Sequence, residues 1–288
     1  MGKLSALKNQ DKKHFIIDLN KCVGCFNCMV SCKDEHVGNS WLPYTDAQQK
    51  HDQKWINPNK HERGMAPFTD MCFVTTLCQH CKDAPCRKAA PDAVTQREDG
   101  VVLLDAEKSK GNKALVEACP YGMISWNEEL NTAQKCTMCA HLLDGGWKEP
   151  RCVQACPLRA LSIVVCSDEE FEKMVKKQKL QPRTDGSNAP RIMYRNFYRR
   201  DTCFIAGALA YRDGDTERVA EGAAVKLLAN GKVIAEAKTD FFGEFKIDKI
   251  PKNSGKYELN CSLDGYKPLS CEVAIGEDSP CLDVMLFV

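Results

Sequence analysis

Long apolar runs are missing from this sequence: Phe204–Ala210 and Leu161–Cys166 fall far short of the roughly 20 residues a spanning helix needs. An excess of charge of either sign is missing too, with 40 Lys and Arg against 39 Asp and Glu. No global field therefore draws the chain toward nucleic acid or anionic lipid. Met1–Asp18 mixes Lys, Asn, Gln and Asp with no apolar core segment, so no secretory signal and a cytoplasmic location are expected. Nothing resembles a nucleophile–base pair or a phosphate-binding loop; Thr75-Thr76 and Gly145-Gly146 read as ordinary strand or turn material. No catalytic residue is therefore singled out in this chain. What the sequence has in excess is cysteine, 18 in 288 residues.

Three chemistries explain so many cysteines: a disulfide framework, zinc sites or iron–sulfur clusters. Disulfides need an oxidising compartment, for which the N-terminal composition gives no support. Cysteines three apart, such as Cys22, Cys25 and Cys28, converge on a metal more readily than they pair with distant partners. Fourteen cysteines lie between Cys22 and Cys166, while Cys203, Cys261, Cys271 and Cys281 follow singly. The chemistry is thus concentrated in the first part of the chain.

The length leaves room for two domains. Asp168–Leu180 (DEEFEKMVKKQKL) opens on acids and closes on lysine, predicting a short amphipathic helix. Gln181–Pro190 (QPRTDGSNAP) has the composition of a linker. After Cys203 the texture changes to period-two alternation, at Val225/Leu227, Val233/Ala235/Ala237, Phe245/Ile247, Tyr257/Leu259/Cys261 and Val284/Leu286. Asn230-Gly231 and Asp264-Gly265 mark turns. These features predict a boundary near 198, with an iron–sulfur domain over 1–198 (linker from about 181). A seven-stranded all-β sandwich or barrel is expected over 199–288, its single cysteines acting as small core residues. The run GAAVKLLANGKVIAEAKTDFFGEF resembles transthyretin-like or carboxypeptidase-regulatory-like β domains, which implies a binding or scaffolding module.

Four stretches hold the metal-binding signal. The first is Cys22-x2-Cys25-x2-Cys28-x3-Cys32, and the second Cys78-x2-Cys81-x4-Cys86 followed by Ala90-Pro91. The third, Ser109–Pro120, has only Cys119; the fourth is Cys136-x2-Cys139-x12-Cys152-x3-Cys156-Pro157. Three closely spaced thiolates wrap one face of a cubane, and a fourth, a few residues on, is carried by a helix to the neighbouring cluster. Taken alone, the fourth stretch also fits a structural zinc site. The x2-x2-x3 spacing of the first is a cluster signal, and one metal chemistry for the whole array is the simpler account.

His14–Cys166 resembles the four-cluster ferredoxin-like subunit of the dimethyl sulfoxide reductase family of molybdoenzymes. The resemblance is carried by DLNKCVGCFNCMVSCKDE, CQHCKDAPCRKAAP, EDGVVLLDAEKSKGNKALVEACPYG and QKCTMCAHLLDGGWKEPRCVQACPLRAL. It implies an α+β fold of tandem bacterial-ferredoxin-like modules, the first motif crossed with the fourth and the second with the third. On that pairing cluster one takes Cys22, Cys25, Cys28 and Cys156, and cluster two takes Cys32, Cys136, Cys139 and Cys152. Cluster three takes Cys78, Cys81, Cys86 and Cys119. The family's fourth cluster falls where this chain has Ala90, Ser109, Asn112 and Leu115, so the resemblance implies three [4Fe–4S] clusters. Uncrossed pairing would leave cluster three short of a thiolate at Ala90 and Cys119 without a role. Six cysteines, Cys72 and Cys166 among them, remain as structural or free thiols.

A three-cluster chain ending in a β domain is similar to the small subunits of the pyrogallol–phloroglucinol transhydroxylase family. That similarity implies a heterodimer or higher assembly with a large catalytic subunit carrying molybdenum on two molybdopterin guanine dinucleotides. Its anaerobic reaction moves a hydroxyl group between benzene rings with no net redox change. The alternative is an electron-transfer subunit of a respiratory molybdenum reductase or dehydrogenase. A third class, a zinc-binding interaction module, would lack the visible absorption of clusters. Neither nucleic acid nor direct membrane insertion is expected.

Smaller features have local readings. His80 and His141 adjoin motif cysteines and are expected to hydrogen-bond a cluster sulfur or a carbonyl rather than ligate iron in the Rieske manner. Arg191–Arg200 (RIMYRNFYRR) interleaves bases and aromatics, as some RNA-binding stretches do, and is expected to lie on the partner subunit. Trp41–Met65 is long for a loop without structure and is expected to cover a cluster or the partner.

Overall fold

The computed structural model describes residues 11–51, 53–183 and 188–288; the start of the Met1–Asp18 segment and the middle of the Gln181–Pro190 linker lie outside the described residues. The chain divides into two compact units, Met1–Lys60 with Phe73–Phe197, and His61–Cys72 with Tyr198–Val288.

In the first unit come β1 (Lys12–Asp18), α1 (Asn27–His36) and a long pair of strands, β2 (Ile56–Met65) and β3 (Phe68–Leu77), whose outer residues 61–72 count with the second unit. Next are α2 (Pro85–Ala89), the hairpin β4 (Val94–Gln96) and β5 (Val102–Leu104), α3 (Ala114–Glu117), and the hairpin β6 (Ser125–Asn127) and β7 (Thr132–Gln134). The unit closes with α4 (Ala140–Asp144), α5 (Arg151–Gln154), β8 (Leu161–Cys166), α6 (Asp168–Gln178) and β9 (Ile192–Arg195). It is an α+β region built on small antiparallel hairpins, and helices this short owe their stability to tertiary packing rather than propensity.

A three-stranded sheet, in the order β8-β1-β9, supports the unit. Its middle strand is buried on both faces: Phe15 and Ile17 are fully enclosed, while Ile16 packs with Phe171 and Leu180 of the α6 segment. The expected helix at Asp168–Leu180 forms, opened by a capping box between Ser167 and Glu170. It stops two residues early because Lys179 turns left-handed, at φ 52, and folds Leu180 back into the core.

The expectation for Arg191–Arg200 is overturned. Ile192–Arg195 is a strand paired parallel to β1, and Tyr194 and Phe197 are fully buried. Arg191 pairs with Asp168, and Arg195 with Asp18. Placing an apolar residue at every second position is what a sheet requires of a strand, and that pattern outweighs the basic composition.

The second unit runs α7 (Tyr198–Asp201), β10 (Thr202–Asp213), β11 (Thr216–Val219), β12 (Ala224–Ala229), β13 (Lys232–Lys238), β14 (Glu244–Pro251), β15 (Gly255–Ser262), β16 (Leu269–Ile275) and β17 (Met285–Phe287). One sheet is β11-β10-β14 with β17 joined parallel to β10, and the other is β13-β12-β15-β16. Both contribute to a single apolar core that includes Ile205, Leu227, Phe245, Leu259, Val273 and Phe287. The strands from β10 onward number eight, one more than expected, and remain two sheets among the described residues. Asn230 and Gly231 both take positive φ, 50 and 73, the type I′ turn that this dipeptide favours. The alternation read at Val284/Leu286 is out of phase. Val284 is 64% exposed and Phe287 is buried, because β17 starts one residue later and its large aromatic takes the core position.

Candidate metal centres

Cys22, Cys25, Cys28 and Cys156 line one small cavity. The loop before α1 is shaped by Gly24 at φ 67, where a Cβ would lie 2.4 Å from the Phe73 ring, so a larger residue would have to displace that ring and hold a strained backbone. Cys156 arrives from the end of α5, and its Sγ accepts the Ala160 N–H at 3.2 Å.

A second cavity is lined by Cys32, Cys136, Cys139 and Cys152, roofed by Phe15, Trp55, Ile56 and Leu77. Met138 and Cys139 both take left-handed backbone, and the Met138 N–H reaches the Cys136 Sγ at 3.3 Å. Trp55 and Ile56 come from the long Trp41–Met65 insertion, which therefore covers a cysteine cavity. His36, not His141, stands at this wall, its Nε2 4.0 Å from the Cys139 Sγ. His141 instead meets Glu35 at 3.0 Å and stacks on Trp41. Residue i+2 from Cys139 turns away along α4, whereas His36, four after Cys32 on α1, shares its helical face.

The third cavity gathers Cys78, Cys81, Cys86 and Cys119 with His80 and Lys135. The Met123 N–H donates to the Cys119 Sγ at 3.3 Å. His80 sits at φ 43 with its ring enclosed, and its Nδ1 accepts the Val102 N–H at 3.0 Å. Its Nε2 is buried without a partner. Lys135 is not legible as a site residue in the sequence, because one lysine beside a cysteine carries no signal of burial.

Burial and the neighbouring sulfurs push the thiols up. Cys28, Cys81 and Cys139 rise to about 12 and Cys136 to about 11, while Cys32 and Cys152 go well above the usual thiol range. The four around the second cavity, Cys32, Cys136, Cys139 and Cys152, cannot all ionise unless a cationic group enters with them. Among the described residues no three Cys, His, Asp or Glu side chains converge to hold one metal ion. Each tetrad surrounds a space, whereas zinc draws every thiolate to about 2.3 Å of one point. A cubane distributes its four thiolates over four irons. The cavities, the N–H groups directed at sulfur and the orphaned His80 Nε2 all fit such a group.

Three of the four positions of a possible fourth site, Ala90, Ser109 and Leu115, are occupied by packed side chains. Ala90 and Leu115 share one apolar core with Ala93, Val94, Leu104 and Ile124. Ser109 is fully buried, and its hydroxyl engages the Asp105 carbonyl and, at 2.9 Å, Thr132 Oγ1.

Residues 69–166 match the model of a 4Fe-4S dicluster domain. Over 274 residues the chain is 41% identical to the pyrogallol hydroxytransferase small subunit of Pelobacter acidigallici, covering 93% of this chain and 97% of that one. A tetrathionate reductase subunit of Salmonella typhimurium is 37% identical, over 49% of this chain and 53% of its own length. An anaerobic dimethyl sulfoxide reductase polypeptide of Escherichia coli is 33% identical, over 51% and 70%. Among solved structures, a Klebsiella pneumoniae 5-hydroxyisourate hydrolase aligns over 29% of this chain and 90% of its own at 21% identity. Its TM-score is 0.24, a level from which neither fold nor function follows.

Proposed function

This protein belongs to the family of the pyrogallol hydroxytransferase small subunit, and on that footing we propose that it is an electron-transfer subunit holding three [4Fe–4S] clusters alongside a large molybdenum subunit. The observation that carries the count is that three cavities are each lined by four cysteines, while the fourth family position is packed with Ala90 and Leu115. Cys22, Cys25, Cys28 and Cys156 would hold one cluster, Cys32, Cys136, Cys139 and Cys152 the second, and Cys78, Cys81, Cys86 and Cys119 the third. Bound there, each would supply one-electron redox chemistry at a potential set by sulfur hydrogen bonds, charge and burial. The chain's own part is to hold the thiolates, present the Ala160, Met123 and Met138 N–H groups to sulfur, and exclude water with Phe15, Trp55 and Leu77.

The partner would carry molybdenum on two molybdopterin guanine dinucleotides and perform the hydroxyl transfer between aromatic rings. Since that exchange has no net redox change, the clusters would serve either reductive activation of the molybdenum or electron buffering together with structural support. We take 1–198 as the iron–sulfur domain and 199–288 as a transthyretin-like or carboxypeptidase-regulatory-like scaffold; its two sheets around one core support the latter. A cytoplasmic location fits this reading, and among the described residues no helix is long and apolar enough to cross a membrane. The respiratory reading draws on the tetrathionate and dimethyl sulfoxide reductase relatives, but they match only about half of the chain.

Iron and sulfide quantitation on the anaerobically purified complex tests the proposal. Twelve irons for each copy of this chain is the expected result, and sixteen would overturn the count. A colourless, zinc-loaded protein would overturn the cluster chemistry altogether. Reduction by quinol through a membrane-anchored partner would select the respiratory alternative.

A further inference from the structure

Lys135 is 2% exposed, and among the described residues its ammonium group pairs with no carboxylate. Its Nζ donates to the Val102 carbonyl and, at 3.1 Å, to that of Cys136. A buried cation without a counter-charge costs several kcal/mol, so two carbonyls do not explain its retention. The side chain lines the cavity of Cys78, Cys81, Cys86 and Cys119, and its backbone leads directly into Cys136, on the wall of the second cavity. Val102 organises a second group at the same place, because its N–H occupies the His80 Nδ1. A neutral imidazole so held carries its proton on Nε2, the buried atom that has no partner.

We propose that Lys135 is the built-in counter-cation of the clusters held by the Cys78 and Cys136 tetrads, and that His80 Nε2–H is a hydrogen-bond donor to the Cys78 cluster. The inference rests on the iron–sulfur reading above. A [4Fe–4S] cluster with four thiolates gains one negative charge when it takes up an electron, and a fixed positive charge in a low-dielectric setting favours the more negative state. Among the described residues that line it, the first cavity has no buried cation. Its cationic wall residue, Lys21, is exposed, so water and salt screen it. Lys135 and His80 are therefore positioning residues that make two clusters easier to reduce than the third.

The test is an EPR-monitored dithionite titration of the anaerobic holo-complex, each signal assigned by its loss in a cysteine variant of its own tetrad. Lys135→Met keeps the stem and removes the charge. The reduction equilibria of the Cys78 and Cys136 clusters are expected to fall at least tenfold, about 60 mV for one electron, with the Cys22 cluster unmoved. Lys135→Arg retains the charge and should restore most of the shift. His80→Asn, which tolerates left-handed backbone, should shift the Cys78 cluster alone. No shift, or an equal shift of all three clusters, would overturn the assignment. If Lys135→Met loses iron, Lys135→Arg decides: iron loss there too would mean that shape rather than charge is required. Wild-type complex without clusters would instead defeat the iron–sulfur reading, and this inference with it.

Discussion

Cys28 and Cys32 stand one helical turn apart on α1 yet line different cavities, so a single turn of helix links two tetrads. The third tetrad is closed differently, by Cys119, which lies 33 residues beyond Cys86 in sequence and reaches the same cavity. Cys119→Ser is expected to remove or degrade the cluster of Cys78, Cys81 and Cys86 and leave the other two intact. EPR of the reduced protein checks it, and loss of a different signal would refute the crossed grouping. Arg63 shows a second kind of residue-scale control. It is buried and forked onto Asp70 and Asp248. Burial pushes the Asp70 carboxyl up, but hydrogen bonds from Arg199 and Arg63 outweigh it and hold the group down at about 2. A carboxylate depressed in the fold adds stability that is complete above about pH 4 and is lost as pH falls toward 2. Acid titration of stability should show this loss, on the order of 2 kcal/mol, and Arg63→Met should reduce it in part, since Arg199 still holds Asp70.

At the scale of elements, α6 is where sequence pattern and packing agree best. Its acidic first turn and closing lysines were legible, because they are local devices. The partner of its apolar face was not legible. His14 stacks on Phe171 at 3.8 Å, and burial, with Arg191 adding to it, lowers the imidazole to about 4. A histidine kept neutral in the fold contributes stability that is full above about pH 6.5 and falls as pH drops through 4. His14→Leu should remove that dependence, worth about 3 kcal/mol, from the thermal stability measured between pH 7 and 4. Phe171→Ala should cost about 3–5 kcal/mol in denaturant unfolding, since the ring fills the space between α6 and β1. In the β unit the Asn230-Gly231 turn was readable for the same local reason. The phase of β17 was not: three residues cannot define an alternation, and parallel pairing with β10 decided which side faced inward.

For the whole molecule, the question of three centres or four is one of space as well as ligands. Introducing Ala90→Cys, Ser109→Cys, Asn112→Cys and Leu115→Cys together supplies thiols at all four positions. Ala90 and Leu115 are packed into a continuous core, however, so the expected outcome is a less stable protein still carrying twelve irons. Iron quantitation beside a melting curve checks both halves; a gain to sixteen would show that ligand identity alone had been limiting.

The sequence by itself determined the kind of chemistry, because close thiolate spacing is a property of a few consecutive residues and of the metal group they can wrap. It also determined the division between a cysteine-rich part and an alternating β part. Only the tertiary structure decided what stands around the cysteines. His36 rather than His141 meets Cys139, Lys135 lies buried with no carboxylate partner among the described residues, and Ile192–Arg195 of the basic segment pairs as a strand with β1. These outcomes depend on contacts between residues far apart in sequence, and burial changes the energy of a charge or a hydrogen bond more than residue identity does.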